Sequence, residues 1–498
     1  MNNPPPPASL RVSVVHEQAA NTAGEYVLYW MIGARRASWN FALDRAVDWA
    51  RHLNKPLLVL EALTCDYRWA SDRLHRFVID GMRDNAVDFA GLGIGYYAYV
   101  EPSPHAGRGL LAALSRKAAL VVTDRAPVFV MPRLVAAAAR RLTVRLEAVD
   151  SSGIVPLDAP PPAQVFPTAY AFRRFLQRVL PIHLSHKPRA RPIAPRELMP
   201  PPAVPPDVLR RWPPADPRLL ARGASLARLP IDHSVAPTAA PGGTLAARAR
   251  LASFVDQQLP RYGESRNHPD NDIGSRLSPY LHFGHISPHE IVGQVLKTDG
   301  WSPAKVARTA TGAKDGWWGA PGAEAFLDQV ITWRELGFNM SARRPDFDRF
   351  ESLPPWAIAT LDKHASDPRP YVYTLDQFAA GATHDALWNA AARQLAVDGT
   401  IHNYLRMLWG KKIVEWPRSP REALDVMIEL NNRYAVDGRD PNSYSGIFWV
   451  LGRYDRPWAP ERPIFGTVRY MTSANTARKL HVKEYLRRHG QTQARLDL

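Results

Sequence analysis

The chain has 498 residues, 46% of them hydrophobic, with 63 basic and 47 acidic side chains and a net charge of +16. That length holds two or three domains with sizeable cores, and that charge favours a polyanionic partner, although an arginine-rich, GC-biased composition would produce it too. The single cysteine, Cys65, excludes an internal disulfide, a cysteine zinc finger and an iron–sulfur cluster, and it fits a reducing, cytoplasmic setting.

Residues 1–24 are polar and proline-rich and read as a disordered tail, without the apolar run of a signal peptide. Tyr26 to Met31 then reads as a strand, Ala37 to Leu53 as a helix and Pro56 to Glu61 as the next strand. Ser71 to Ala90 is a long helix, Leu120 to Asp124 a buried strand, and Thr143 to Val149 closes the series. This alternation predicts an α/β Rossmann-like domain over 25–180, built on a parallel, doubly wound sheet. No G-x-G-x-x-G follows the first strand, and Gly91 to Gly95 reads as a helix-to-strand turn instead.

Residues 181–244 read as a proline-rich linker, with eleven prolines between Lys187 and Arg218. From 245 to 498 apolar residues recur at three and four, which predicts an all-α domain. Within it, 302–325 reads as an exposed insertion, with Trp317 and Trp318 making a surface contact. No apolar stretch reaches membrane-spanning length.

Three tryptophans stand out. Trp409 and Trp416 are seven apart, two turns of one helix face and about 10 Å along its axis. Trp388 precedes Trp409 by 21 residues. Indoles this close can pass an electron; they can equally fill a helical core. Ser275, Arg276 and Ser278 offer hydroxyls, a guanidinium and backbone N–H groups to a diphosphate, or simply cap a helix. His282 and His285 lie three apart with no third ligand, so no metal site is expected.

The segments around these residues run in order from Gly274 to Met471. They are Gly274-Ser-Arg-Leu-Ser-Pro-Tyr-Leu-His-Phe-Gly-His-Ile-Ser287, Thr383-His-Asp-Ala-Leu-Trp-Asn389 and His402-Asn-Tyr-Leu-Arg-Met407. Leu430-Asn-Asn-Arg-Tyr434, Asp437-Gly-Arg-Asp-Pro-Asn442 and Glu461-Arg-Pro-Ile-Phe-Gly-Thr-Val-Arg-Tyr-Met471 follow. Together they resemble class II cyclobutane pyrimidine dimer photolyases of the photolyase/cryptochrome superfamily.

The resemblance implies light-driven DNA repair: reduced FAD, excited by blue light, lends an electron to a pyrimidine dimer flipped out of DNA, and the dimer splits. It implies FAD contacts at Tyr262, Ser275, Arg276, Leu277, Ser278, Asn403, Arg406, Asn431, Asp437, Gly438 and Arg439. The Asn431 amide would present either oxygen or nitrogen to the flavin. Lesion contacts fall on Glu335, Met407 and Trp449. Trp409 would stand nearest the flavin, Trp388 between, and Trp416 at the solvent side, as a chain that re-reduces the cofactor. A second light-harvesting chromophore, of folate or deazaflavin type, has its place in the first domain. The partner is UV-damaged DNA, met by a monomer associated with the nucleoid.

Some positions depart from the family pattern. Phe41 replaces a tryptophan, Tyr454 a histidine, and Leu408 a tyrosine of some members; Leu336-Gly-Phe-Asn339 breaks the usual continuation after Glu335. The pair of lesion-side histidines used by (6-4) photolyases has no counterpart. A cryptochrome-like blue-light receptor is the rival reading. Such receptors often carry long polar C-terminal extensions, whereas this chain ends soon after Val482-Lys-Glu-Tyr-Leu-Arg-Arg488. A basic nucleic-acid-binding protein without cofactor would purify colourless.

Overall fold

Among the described residues, six strands form one mixed sheet: β1 (Val12–His16), β2 (Tyr26–Trp30), β3 (Leu57–Leu63), β4 (Gly95–Val100), β5 (Ala118–Asp124) and β6 (Leu146–Val149). Their order is β1-β6-β5-β2-β3-β4, with β1 antiparallel to β6 and every other pair parallel. The computed structural model describes residues 9–297, 301–302, 305–306 and 310–490. The chain divides into two units. The first comprises Met1–Pro162, Arg178–Ala252 and Leu277–Val306, the second Ala163–Gln177, Ser253–Arg276 and Ala307–Leu498.

In the first unit the central strands are buried on both faces. Val27 and Tyr29 pack with Val59, Leu120 and Val122 on one side; Tyr26, Leu28 and Trp30 pack with Leu58, Leu60 and Val121 on the other. Side chains alternate with a period of two, and both faces are covered, so β2 reads as one unbroken apolar run and β3 and β5 open with one. Each buried aliphatic side chain contributes roughly 2 kcal/mol. The helix Phe41–Leu53 starts at Asn40, whose Oδ1 accepts from Ala42 and Leu43 N–H. It ends at Asn54 in the left-handed region. The helix Asp72–Leu92 stops at Gly93, φ 71°, which turns the chain into β4.

Glu147 on β6 is fully buried. Burial alone would raise its carboxyl. Hydrogen bonds from Arg45 Nε at 2.7 Å, Trp49 Nε1 at 2.9 Å and Arg145 Nε at 2.8 Å more than offset that and hold it below the usual range.

Two expectations need correcting. The stretch 1–24 is not wholly a tail, because β1 lies within it and pairs with β6. In 302–325 the described residues 313–316 and 319–321 are exposed, but the two tryptophans are not at the surface. Trp317 and Trp318 are 3% and 2% exposed. Glu324 Oε1, on the helix Pro321–Leu327, accepts the N–H groups of Gly316, Trp317, Trp318 and Gly319 at 3.0, 2.7, 2.7 and 3.1 Å. One carboxylate thereby satisfies four donors of an irregular loop and tucks both indoles inward.

The proline-rich stretch is anchored on the first unit. Ala215 N–H donates to Ala98 O of β4 at 2.8 Å, Trp212 Nε1 to Ala106 O at 2.9 Å, and Leu226 and Leu229 join a small core with Leu63 and Val78.

The second unit is helical. Its core gathers the helices Ala386–Asp398, Asn403–Glu415, Pro420–Tyr434 and Pro441–Val450 around Trp388, Leu405, Trp409, Trp416, Met427 and Phe448. Among the described residues, no helix is long and apolar enough to cross a membrane.

Candidate functional site

Asp385 begins the helix Ala386–Asp398 by accepting from Trp388 N–H, and Trp409 and Trp416 ride on the helix Asn403–Glu415 and its end. This brings the three indoles into one core. Trp388 Nε1 donates to Trp409 O at 3.0 Å, and the Trp388 and Trp416 rings meet edge-on, 5.4 Å apart at 75°. Trp416, expected at the solvent side, is only 1% exposed.

The way out of the core runs through residues the sequence reading missed. The Trp416 ring lies 5.4 Å from both Tyr373 and His384. The Tyr373 hydroxyl and His384 Nδ1 share a hydrogen bond of 2.6 Å, and Tyr371, 48% exposed, stacks on His384 at 3.8 Å. Contiguous rings therefore link Trp388 to the surface of the unit. Lys412 Nζ stands 5.4 Å from the Trp416 ring, where a cation disfavours positive charge on the indole.

Arg406 is one turn before Trp409 on the same helix. Its Nη1 donates to Asn431 Oδ1 at 3.0 Å, and its Nη2 lies 3.6 Å from Asp437 Oδ1. The expected arginine–aspartate pair is thus present. Gly438 and Arg439 continue the same wall. A Cβ on Gly438 would come within 2.7 Å of Asn431 O, so that backbone approach needs glycine. Arg439, φ 68°, donates its N–H to Asn432 Oδ1 at 2.9 Å. The Asn431 amide is engaged at both ends, since its Nδ2 donates to Ser443 Oγ at 2.7 Å. Its Oδ1 accepts once, from Arg406, and keeps a second lone pair for a further donor. Asn403 opens the helix and is exposed.

The residues expected to meet a diphosphate fall in both units. Tyr262, Ser275 and Arg276 belong to the second unit, Leu277 and Ser278 to the first. Arg276 is left-handed, φ 53°, and Leu277 returns to the right-handed region, a sequence that turns successive N–H groups into a concavity for anions. The Arg276 guanidinium donates to both Asp272 oxygens, at 2.8 and 2.7 Å. Tyr262 packs edge-on against Phe254 and Phe326 at 5.5 Å each.

Of the expected lesion contacts, Trp449 and Met407 are half-buried, whereas Glu335 is 4% exposed and packed inside its helix Arg334–Arg343. Trp449 pairs with Trp333, 5.3 Å away at 32°. Trp333 Nε1 donates to Asp328 Oδ2 at 3.2 Å, and Arg173 grips Asp328 at both oxygens, at 2.9 and 3.0 Å. Burial and a locked ring give the pair fixed, half-open faces.

The departures sit in ordinary packing. Phe41 meets His289 edge-on at 5.4 Å under the Arg11 guanidinium, Leu408 is fully buried, and Tyr454 is buried with φ 66°. His285 accepts from Gly243 N–H at 3.0 Å, and burial pulls its pKa down to about 3, so it is an uncharged core residue. Among the described residues, no group of three or more His, Cys, Asp or Glu side chains could hold a metal.

No protein-family model matches the chain. Curated relatives do. A deoxyribodipyrimidine photo-lyase of Methanothermobacter thermautotrophicus is 33% identical over 479 residues, covering 96% of this chain and 97% of that protein. One from Arabidopsis thaliana is 30% identical over 467 residues, covering 92% of this chain and 88% of the relative. Among solved structures, a class III photolyase from Agrobacterium tumefaciens aligns with a TM-score of 0.67 at 18% identity, over 95% of this chain and 87% of that one. A Synechocystis cryptochrome aligns with a TM-score of 0.64 at 15% identity, over 93% and 88%. At those identities the likeness is one of fold.

Proposed function

Because the chain belongs to the deoxyribodipyrimidine photo-lyase family, within the photolyase/cryptochrome superfamily, we propose that it is a class II enzyme that splits cyclobutane pyrimidine dimers in DNA under blue light. One observation carries this reading. The same helical unit holds buried indoles that Tyr373, His384 and Tyr371 link to its surface, and a separate pair of half-open indoles, Trp333 and Trp449. Charge passage needs the first, and a flipped lesion needs the second.

The residues present fit FAD. Asp437 Oδ1 and Trp409 Nε1 are buried, and neither meets a hydrogen-bonding partner among the described residues. Buried polar atoms are rarely left so, and a polar heterocycle would satisfy them. Arg406, Asn431, Asp437, Gly438 and Arg439 would hold its ring, and Tyr262, Ser275 and Arg276 its diphosphate. Reduced FAD supplies the excitable electron donor. The protein's own groups do the rest. Arg406 sets a cation on the ring-side wall, and the buried indoles exclude water and carry charge between core and surface. Trp333 and Trp449 accept an extruded dimer on their faces, and a damaged pair costs least to extrude. Met407 and Glu335 complete the lesion contacts in this reading.

DNA approaches as a polyanion. Trp458 stands 5.0 Å from both Arg456 and Arg469, and Arg462 lies 5.3 Å from Tyr470. Interleaved cations and aromatic rings of this kind suit phosphates and unstacked bases. In the first unit the strand order reverses between β2 and β5, and a second chromophore of folate or deazaflavin type would belong at that crevice. The chain acts as a monomer.

The test is to illuminate the reduced, FAD-loaded protein with dimer-containing oligothymidine. Recovery of thymine's ultraviolet absorbance in blue light, and none in the dark, is the expected result. A loaded, photoreducible protein that restores no absorbance would leave a cryptochrome-like receptor as the better reading.

A further inference from the structure

Asn432 is fully buried, and its amide joins its neighbours in one direction. Its Oδ1 accepts from Arg439 N–H at 2.9 Å and from Asn431 Nδ2 at 3.2 Å. Its Nδ2 donates to the Tyr444 hydroxyl at 3.1 Å. Asn431 in turn receives Arg406 Nη1 on Oδ1 at 3.0 Å and gives Nδ2 also to Ser443 Oγ at 2.7 Å.

A guanidinium and a backbone N–H can only donate. They stand at opposite ends of the amide pair and so orient both amides. Turning Asn431 over would set its NH2 against Arg406 and its oxygen against Asn432 Oδ1. Turning Asn432 over would set its NH2 against both Arg439 N–H and Asn431 Nδ2. Either reversal strands buried polar groups, each at a cost of one or more lost hydrogen bonds. The chain path supports the arrangement, because Arg439 Nη1 also donates to Asn432 O at 3.0 Å.

We propose that Asn432 is a positioning residue: it fixes the direction of the Asn431 amide, and thereby sets how strongly the site prefers one redox state of its flavin. The inference rests on the flavin reading above. A flavin ring nitrogen accepts a hydrogen bond when oxidised and carries a proton when reduced, so an amide of fixed direction treats the two states differently. An amide free to turn would suit either state and separate them less.

The experiment measures the dissociation constants of oxidised and of reduced FAD on reconstituted protein, for the parent, Asn432→Leu, Asn432→Asp and Tyr444→Phe. Asn432→Leu removes the acceptor and is expected to change the ratio of the two constants about fivefold, the size of one buried hydrogen bond. Asn432→Asp keeps an acceptor for Arg439 N–H and Asn431 Nδ2 and restores the parental ratio. Tyr444→Phe, which removes only the outer partner, shifts the ratio in the same direction by less.

A purely structural role would weaken both forms equally, and an unchanged ratio in Asn432→Leu overturns the proposal. Should that variant fail to fold, an unchanged ratio in Tyr444→Phe overturns it instead. A parent protein that takes up no FAD overturns the flavin reading and this inference together, whereas bound flavin with unmoved ratios overturns this inference alone.

Discussion

The indole of Trp333 lies 5.3 Å from that of Trp449, tilted by 32°. The segments that carry them close tightly, since a Cβ on Gly337 would come within 2.6 Å of Ser445 Oγ and 2.8 Å of Pro441 O. Trp333→Ala and Trp449→Ala should each weaken binding of dimer-containing DNA by about 1–3 kcal/mol, the range for one stacked base. Flavin photoreduction should be unaffected. Fluorescence anisotropy on labelled DNA reads the first, and absorbance under blue light without DNA reads the second. Equal loss of both would remove the assignment of this pair to the lesion.

Replacing Trp416 with Phe should cut the yield of photoreduced flavin by about tenfold or more, because a barrier rise of only 1.4 kcal/mol already slows a step tenfold. Tyr373→Phe should act differently. It leaves the indoles in place but removes the hydroxyl that shares a 2.6 Å hydrogen bond with His384 Nδ1. Charge would still leave the flavin side but return sooner, which transient absorption detects as a shortened lifetime of the separated charges. A lifetime equal to the parent's would exclude Tyr373 from the path.

Lys411 is 1% exposed, and its Nζ donates to Val450 O. Burial pulls its pKa down to about 7. The unfolded chain therefore holds this proton more tightly than the folded one, and stability rises with pH between about 7 and the ordinary lysine value near 10.4. Below that window the penalty is fully present. Lys411→Met should accordingly stabilise the protein at pH 6 by roughly 1–3 kcal/mol, an advantage that fades towards pH 10. Urea denaturation at the two pH values checks it, and an advantage that does not vary with pH would contradict it.

Glu324→Ala leaves four loop N–H groups without their acceptor. Stability should fall by roughly 2–4 kcal/mol. Trp317 and Trp318 should also become accessible, seen as red-shifted emission and stronger quenching by iodide. Unchanged quenching would mean that the apolar core alone retains the indoles.

The central strands were legible because both faces are covered, which makes Tyr26 to Met31 and Ala118 to Val122 continuous apolar runs. β1 was not, since Val12-Ser-Val-Val-His16 is a half-exposed edge whose partner, β6, lies far along the chain. The Arg406–Asp437 pair and the shared core of Trp388 and Trp416 followed from the motif segments, and the structure brings them together. What sequence could not show was competition between partners. The pairing of the Arg276 guanidinium with Asp272, four residues earlier, is one example. Trp317 and Trp318 looked like surface residues because their burial depends on Glu324 and a turn with two left-handed glycines, Gly316 and Gly319. Tyr373 and His384 are spaced by eleven residues with no periodicity, and only the fold sets them against Trp416.

The antiparallel edge of the sheet has a consequence for the order in which the chain is made. Val12 pairs with Val149 and Val14 with Glu147, so the first strand to leave the ribosome is the last that can be placed. At 5–20 residues per second the segment waits on the order of ten seconds for its partner to be synthesised. The parallel strands can pair with one another in the interval, and β1 then seals the edge beside β6, leaving β4 as the opposite margin. A bulky fusion placed directly ahead of Val12 would burden that closing step rather than the early ones.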